Sequence, residues 1–253
     1  MIIDQPRAQH IPALRALWQE AFGDSEEFLD LFEETAFSHD RARCVTVDGA
    51  IAAALYWFDC ECRGERMAYL YAIATAKAHR GKGLCSALME DTHRHLNALG
   101  YAGTILVPSG QQLFAFYQRL GYTAFGGIGE IACVASSEKT ALRQIDVQEY
   151  ASLRRKLLPE ASVIQEKENL HFLQAQAKLL AGEDFLLAYR FEKDTFFGIE
   201  LLGNTQKAPA ILQTLGAASG KFRILKNEMP FAMYHALHDD TLTPPTYFGL
   251  AFD

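Results

Sequence analysis

The stretch "AHRGKGLCSALM", Ala78 to Met89, sets a short basic loop with two glycines directly before an amphipathic helical pattern. The start of a helix carries unpaired backbone N–H groups and a partial positive charge, so the arrangement suits an anion. Gly81 and Gly83 let the backbone approach a ligand that a Cβ would displace. Arg80 and Lys82 add charge. The loop alone is equally a solvated turn, and its surroundings must decide between the two.

Upstream of the loop lie three strand-like runs. "RCVTVD" turns at Asp48-Gly49 into "AIAAALYWFDCEC", and "RGE" turns into "RMAYLYAIAT". This predicts an antiparallel meander. Before it, Pro12 begins a helix with Leu14, Leu17, Trp18 and Ala21 on one stripe. A second helix follows, with Asp24 or Ser25 as its cap. Downstream, Leu84, Leu88, Thr92, Leu96 and Leu99 keep near-helical spacing. "AGTILVP" reads as a short buried strand. "SGQQLFAFYQRLG" reads as a helix capped by Ser109 and stopped by Gly121. "YTAFGGIGEIACV" is a last strand or hairpin, and "ASSEKT", residues 135–140, is the expected linker.

The rest of the chain resembles the part before the linker. "LRQIDVQEYASLRRKLL" matches "IIDQPRAQHIPALRALW" as a short strand, a polar turn and an amphipathic helix. A further helix through "EKENLHFLQAQAKLL", a hairpin of "DFLLAYRF" and "DTFFGIELLG", a helix through "APAILQTLG", and the strands "KFRIL" and "FAMYHAL" follow. "TYFGLAFD" is expected to end the chain as another strand. The pattern is a divergent repeat, with units expected at 1–134 and 141–253.

Composition narrows the functional classes. Of 253 residues, 24 are Lys or Arg and 31 Asp or Glu, a net charge of −7. That balance argues against general nucleic-acid binding and mildly favours cationic small molecules. Five cysteines without a CxxC spacing indicate neither a disulfide framework nor a metal site. No signal-peptide core and no run near eighteen apolar residues is present, so no membrane partner is expected and a reduced cytoplasm is the expected location.

A dinucleotide-binding loop would need GxGxxG within an early parallel βαβ unit. Here a single GxG follows an antiparallel meander, which excludes it. Instead, "YAIATAKAHRGKGLCSALM" and "LFAFYQRLGYTAF" resemble the acyl-CoA segment and the tyrosine helix of the GNAT acyl-CoA N-acyltransferase superfamily. The resemblance covers residues 1 to about 134. It departs at Ala78, where the family has Gln or Arg. It implies an α/β fold (an α+β mixed sheet) of tandem GNAT-like units related to Eis-type acetyltransferases. The first unit would be catalytic and the second degenerate, since the second lacks RGxG and carries Pro209 near its helix start.

The resemblance further implies acetyl-CoA as cofactor. Its pyrophosphate would sit on Arg80, Gly81, Lys82, Gly83, Leu84 and Cys85, a nest of amides at a helix start. Its pantetheine arm would run along Ile73, Ala74 and Thr75, where the family's strand bulges away from its neighbour. A backbone N–H there would face the thioester oxygen. Tyr117, four residues before Gly121, stands where the family places its general acid; on the helix itself it also reads as core packing beside Leu113, Phe116 and Leu120. Cys85 sits beside the expected pyrophosphate, so a covalent cysteine route is not expected. Trp57 and Asp59, with Glu61, are expected to line an amine-acceptor cleft. Asp253 is expected to reach the same cleft, because Eis-type enzymes place a terminal carboxylate beside the tyrosine. The expected activity is N-acetyl transfer from acetyl-CoA to a primary amine, small or protein-borne, by direct attack in a ternary complex. The alternative is a non-catalytic acyl-CoA-binding or partner-binding module. Oligomeric state is not legible.

Overall fold

The computed structural model describes residues 1–238 and 243–252. In chain order the first half runs β1 (Ile2–Asp4), α1 (Ile11–Phe22), α2 (Glu26–Thr35), β2 (Ala42–Val47), β3 (Ala50–Cys62), β4 (Glu65–Thr75), α3 (Leu84–Ala98), β5 (Gly103–Leu106), α4 (Gln111–Gln118) and β6 (Thr123–Val134). The second half runs β7 (Arg143–Gln144), α5 (Val147–Leu157), β8 (Ile164–Gln165), α6 (Glu168–Gln176), β9 (Lys178–Ala181), β10 (Phe185–Glu192), β11 (Thr195–Gly203), α7 (Ala208–Leu215), β12 (Ser219–Leu225) and β13 (Met229–Ala236). Leaving out the two-residue β8, the second half repeats the order of the first, except that it has no counterpart of α4.

The strands form one sheet in the order β1-β2-β3-β4-β5-β13-β6-β12-β11-β10-β9-β7, with β8 added beside β3. This order is nearly symmetric about its centre, and there the two units exchange their last strands. β6 of the first unit pairs with β12 of the second, and β13 of the second pairs with β5 of the first. The sheet therefore runs unbroken through both units.

Alternation along β3 divides the core. Tyr56, Phe58, Cys60 and Cys62 face an apolar cluster with α2, α6 and the C-terminal residues. Leu55 and Trp57 face the opposite cluster under α3 and α4. The meander, α1 and α3 form as the sequence predicts. Ser25 caps α2, its Oγ accepting from Phe28 N at 3.3 Å.

Three expectations are corrected. Residues 243–252 form no strand: the segment crosses the molecule as irregular chain, its backbone satisfied one group at a time. Thr246 N donates to Ala161 O, Val163 N to Tyr247 O, and the Gln165 side chain to Leu250 O. The helix expected through "EKENLHFLQAQAKLL" stops at Gln176, because Lys178–Ala181 pairs with β10 as β9. Helix α4 has Gly110 rather than Ser109 at its N-cap, and Ser109 belongs to a cleft wall. Among the described residues no helix is long and apolar enough to cross a membrane.

Candidate active site

β4 and β5 pair in parallel from Met67↔Gly103 to Tyr69↔Ile105 and then part. Just past that point β4 bulges. Its register against β3 passes from Tyr56↔Tyr71 to Ala54↔Ala74, so Leu55 opposes both Ala72 and Ile73. Ala72 takes a left-handed φ of +48°, a conformation unfavourable for an L-residue with a side chain. Into the opening runs a cleft of about 680 Å³. Its lining comes from both faces of the sheet: Tyr69 and Tyr71 from one, Leu70, Leu106, Leu113 and Tyr117 from the other.

The glycine loop lies between the end of β4 and α3. Gly83 is the N-cap of α3 with φ +77°, and Gly81 has φ +74°. No atom of the chain lies within 4 Å of where a Cβ would sit at either position. Both glycines therefore meet a backbone requirement, and the space before them is open. Among the described residues the backbone N–H groups of 81–86 have no acceptor; the first bond of α3 is Ala87 N to Gly83 O, at 3.0 Å. This row of free donors at a helix start fits a pyrophosphate. The loop is anchored at its rear: Arg80 Nε donates to Thr75 O at 3.1 Å, and Lys77 N to Glu20 Oε2 at 3.0 Å. Arg80, Gly81, Lys82 and Gly83 are exposed, Leu84 is buried and Cys85 half-buried. Burial pushes the Cys85 thiol up to about 11, away from the thiolate that a covalent route would need.

Tyr117 is 7% exposed and lines the cleft. Its ring meets Phe116 and Tyr122 edge-on, at 5.1 and 5.8 Å between centroids. Among the described residues nothing hydrogen-bonds its hydroxyl. Burial, and secondarily the Cys85 thiol, raises its phenol well above the usual range. Ile73 also lines the cleft, while Ala74 is buried and Thr75 half-buried beside it.

The structure does not bring Trp57 and Asp59 to this cleft. Both project from β3 to the face opposite Tyr56 and Phe58, because side chains alternate along a strand. Trp57 is buried beneath α3, donating Nε1 to Tyr101 Oη at 3.3 Å. Asp59 accepts from the Tyr101 hydroxyl and, at 3.1 Å, from Arg66 Nη2. With Glu61 it borders a separate hollow containing Arg155 and Glu166. Asp253 lies outside the described residues. Its neighbour Phe252 does line the cleft, and Phe252 N donates to Tyr69 Oη at 3.5 Å.

Sequence reasoning missed Asp24, Tyr69, Tyr71 and Arg190 as cleft residues. The spacing of Tyr69 and Tyr71 in "YLY" signalled that they share a face. Nothing local signalled Asp24 or Arg190. Among the described residues no group of three or more His, Cys, Asp or Glu side chains could hold a metal ion.

A strand bulged and splayed beside its parallel neighbour and a tyrosine at the splay thus meet around one cleft, and a glycine loop opens the helix that follows the strand. Residues 3–125 match the family model described as an acetyltransferase (GNAT) domain. The chain is similar over 93% of its length, at 16% identity and TM-score 0.71, to a GCN5-related N-acetyltransferase from Kribbella flavida, of which it covers 72%. A GCN5-related N-acetyltransferase from Anabaena variabilis gives 15% identity and TM-score 0.68, with 94% and 73% of the two chains covered. Eis1 from Mycobacterium abscessus gives 15% and 0.65, with 94% and 74% covered. At these identities the likeness shows a shared fold. No curated protein matches the chain by sequence.

Proposed function

We propose that this protein transfers the acetyl group of acetyl-CoA to a primary amine by direct attack in a ternary complex. Residues 1–134 would be the catalytic unit and 141–253 a degenerate partner. The observation that carries the proposal is the single cleft shared by the β4 bulge, the end of β5 and Tyr117. Among the described residues the second unit lacks the elements that frame this cleft. β11 and β12 are paired on both sides of a register shift, from Phe196↔Gly220 to Leu201↔Ile224, no tyrosine helix precedes β13, and Pro209 removes an N–H at the start of α7.

Bound acetyl-CoA supplies a thioester carbonyl open to attack. The amides and charges of Arg80, Gly81, Lys82, Gly83, Leu84 and Cys85 hold the pyrophosphate. The β4 edge at Ile73, Ala74 and Thr75 pairs with the pantetheine amides, and a backbone N–H there stabilises the carbonyl oxygen as it gains charge. The neutral amine attacks the carbonyl carbon, the C–N bond forms and the C–S bond breaks. Tyr117 donates its phenolic proton to the departing sulfur, and the proton lost by the amine nitrogen restores the balance through solvent. A buried phenol stays protonated through the neutral range, so the acid is always available. The proposed location is the reducing cytoplasm, where five free cysteines persist.

Tyr117→Phe tests this assignment. It should leave CoA affinity unchanged and lower kcat roughly 10²–10⁴-fold, the usual contribution of a general acid. Chromatographic measurement of CoA and acetylated amine checks it, and equal turnover by the variant returns Tyr117 to the core. A chain that binds CoA but acetylates no amine would be the non-catalytic module instead.

A further inference from the structure

The walls of the cleft carry information about the acceptor, on the reading that this cleft performs acyl transfer. At one end α1 runs out through Phe22, Gly23 turns the chain with φ +79°, and Asp24 follows. Phe22 is 45% exposed although it is a large apolar ring, an arrangement that suits a surface awaiting an apolar partner. Trp18 packs against Phe22, Phe28 and Tyr71, with centroids 5.8, 6.3 and 5.6 Å apart. Its Nε1 donates to Asp24 Oδ2 at 2.8 Å, which fixes the carboxylate; Oδ1 has no partner among the described residues. Phe252 and Tyr71 continue the aromatic wall towards the β4 bulge, their rings 6.1 Å apart and edge-on.

Asp24 is the one carboxylate among the described residues that line the cleft. Arg190, in the same wall, is a cation whose charge is met by Glu192 at 2.6 Å. The described lining thus offers one point for a cation and a broad aromatic surface. A polycation would bring further charges that must lose water with no second carboxylate among the described lining residues to meet them.

We infer that the acceptor is a small monoamine with an apolar, flat body, drawn in by Asp24 and held between the aromatic walls. An aromatic ring of the acceptor stacks or meets edges with Phe22, Trp18 and Tyr71, each such pair adding to its area burial. The ammonium form is attracted by Asp24 and loses its proton before the attack.

Three amines test this on the full chain with acetyl-CoA: phenethylamine, n-butylamine and spermidine. The expected kcat/KM for phenethylamine exceeds the other two by about tenfold or more, the value of one buried ring. Asp24→Asn keeps an oxygen for Trp18 Nε1 and removes the charge. It should raise the KM for phenethylamine about tenfold and leave the KM for acetyl-CoA unchanged. Phe22→Ala should weaken phenethylamine far more than n-butylamine. Preference for spermidine, or an Asp24→Asn variant with unchanged amine KM, overturns the inference while acetyl transfer stands. Transfer to none of the three by a chain that binds acetyl-CoA overturns this inference, and only the further failure of a broad amine and protein-lysine panel removes the acyl-transfer reading.

Discussion

His93 shows how one residue reports on the join between the two units. Its Nε2 lies 2.8 Å from the Tyr122 hydroxyl, which lies 2.7 Å from Thr104 Oγ1. Its ring stacks on His235 of β13, the exchanged strand, at 4.4 Å between centroids. Burial, and then the nearby His235, lowers His93 from 6.5 to about 3. The unfolded chain takes up a proton near pH 6.5 that the folded chain refuses, so the unfolded state binds more protons in this window. The stability from this group is complete above about pH 6.5 and drains away as pH falls towards 3, by at most about 1.4 kcal/mol per pH unit. Urea unfolding at pH 7 and pH 5 should show the loss, and His93→Gln should flatten it. An unchanged slope in the variant would assign the acid sensitivity to other groups.

At the scale of elements, the loop before α3 combines a conformational requirement with an open front. An alanine at Gly83 meets no neighbouring atom but must adopt φ +77°. That conformation costs roughly 1–2 kcal/mol for an L-residue. Gly83→Ala should therefore lower stability by about that amount, and its new methyl should stand where the phosphate approaches. A fall in CoA affinity of about tenfold or more is expected from losing one charge-assisted bond. Denaturant titration and calorimetry measure the two effects separately. Stability lost with CoA affinity intact would place the cofactor elsewhere.

For the whole molecule, one buried ion pair ties the second unit to the C-terminal segment. Arg154 on α5 binds Glu200 on β11 through Nε and Nη2, at 2.7 and 2.9 Å. Tyr150 and Tyr247 donate to the same carboxylate at 3.2 and 3.0 Å. Arg154 and Glu200 are 2% and 0% exposed. The carboxylate is thus satisfied by four donors, and Tyr247 fixes the segment that carries Phe252 to the cleft. Arg154→Met leaves Glu200 charged, buried and without its guanidinium, and should cost about 3–5 kcal/mol. The double variant Arg154→Met, Glu200→Leu should recover much of the loss, because an apolar pair has no charge to desolvate. Thermal unfolding of both variants checks this. A single variant as stable as the parent would show that the pair carries little of the fold.

The sequence by itself determined most of the elements and the glycine turn before α3. The meander, α1 and the helix behind the glycines follow from alternation, helical spacing and turn residues, which act over a few neighbours. The Arg80–Cys85 loop and Tyr117 stood out as candidates for the same reason: each belongs to a contiguous motif. Tertiary structure alone decided which segments meet the cleft: no described residue of β3 lines it, so Trp57 and Asp59 lie elsewhere, while Asp24, Tyr71 and Arg190 came together from three separate segments. It also decided the exchange of β6 and β13, and the irregular path of 243–252. Strand alternation is the same for either face, a strand pattern names no partner, and an apolar segment can be satisfied by side chains as well as by a ladder. Those choices rest on contacts between residues far apart in the chain, where burial and pairing are settled together.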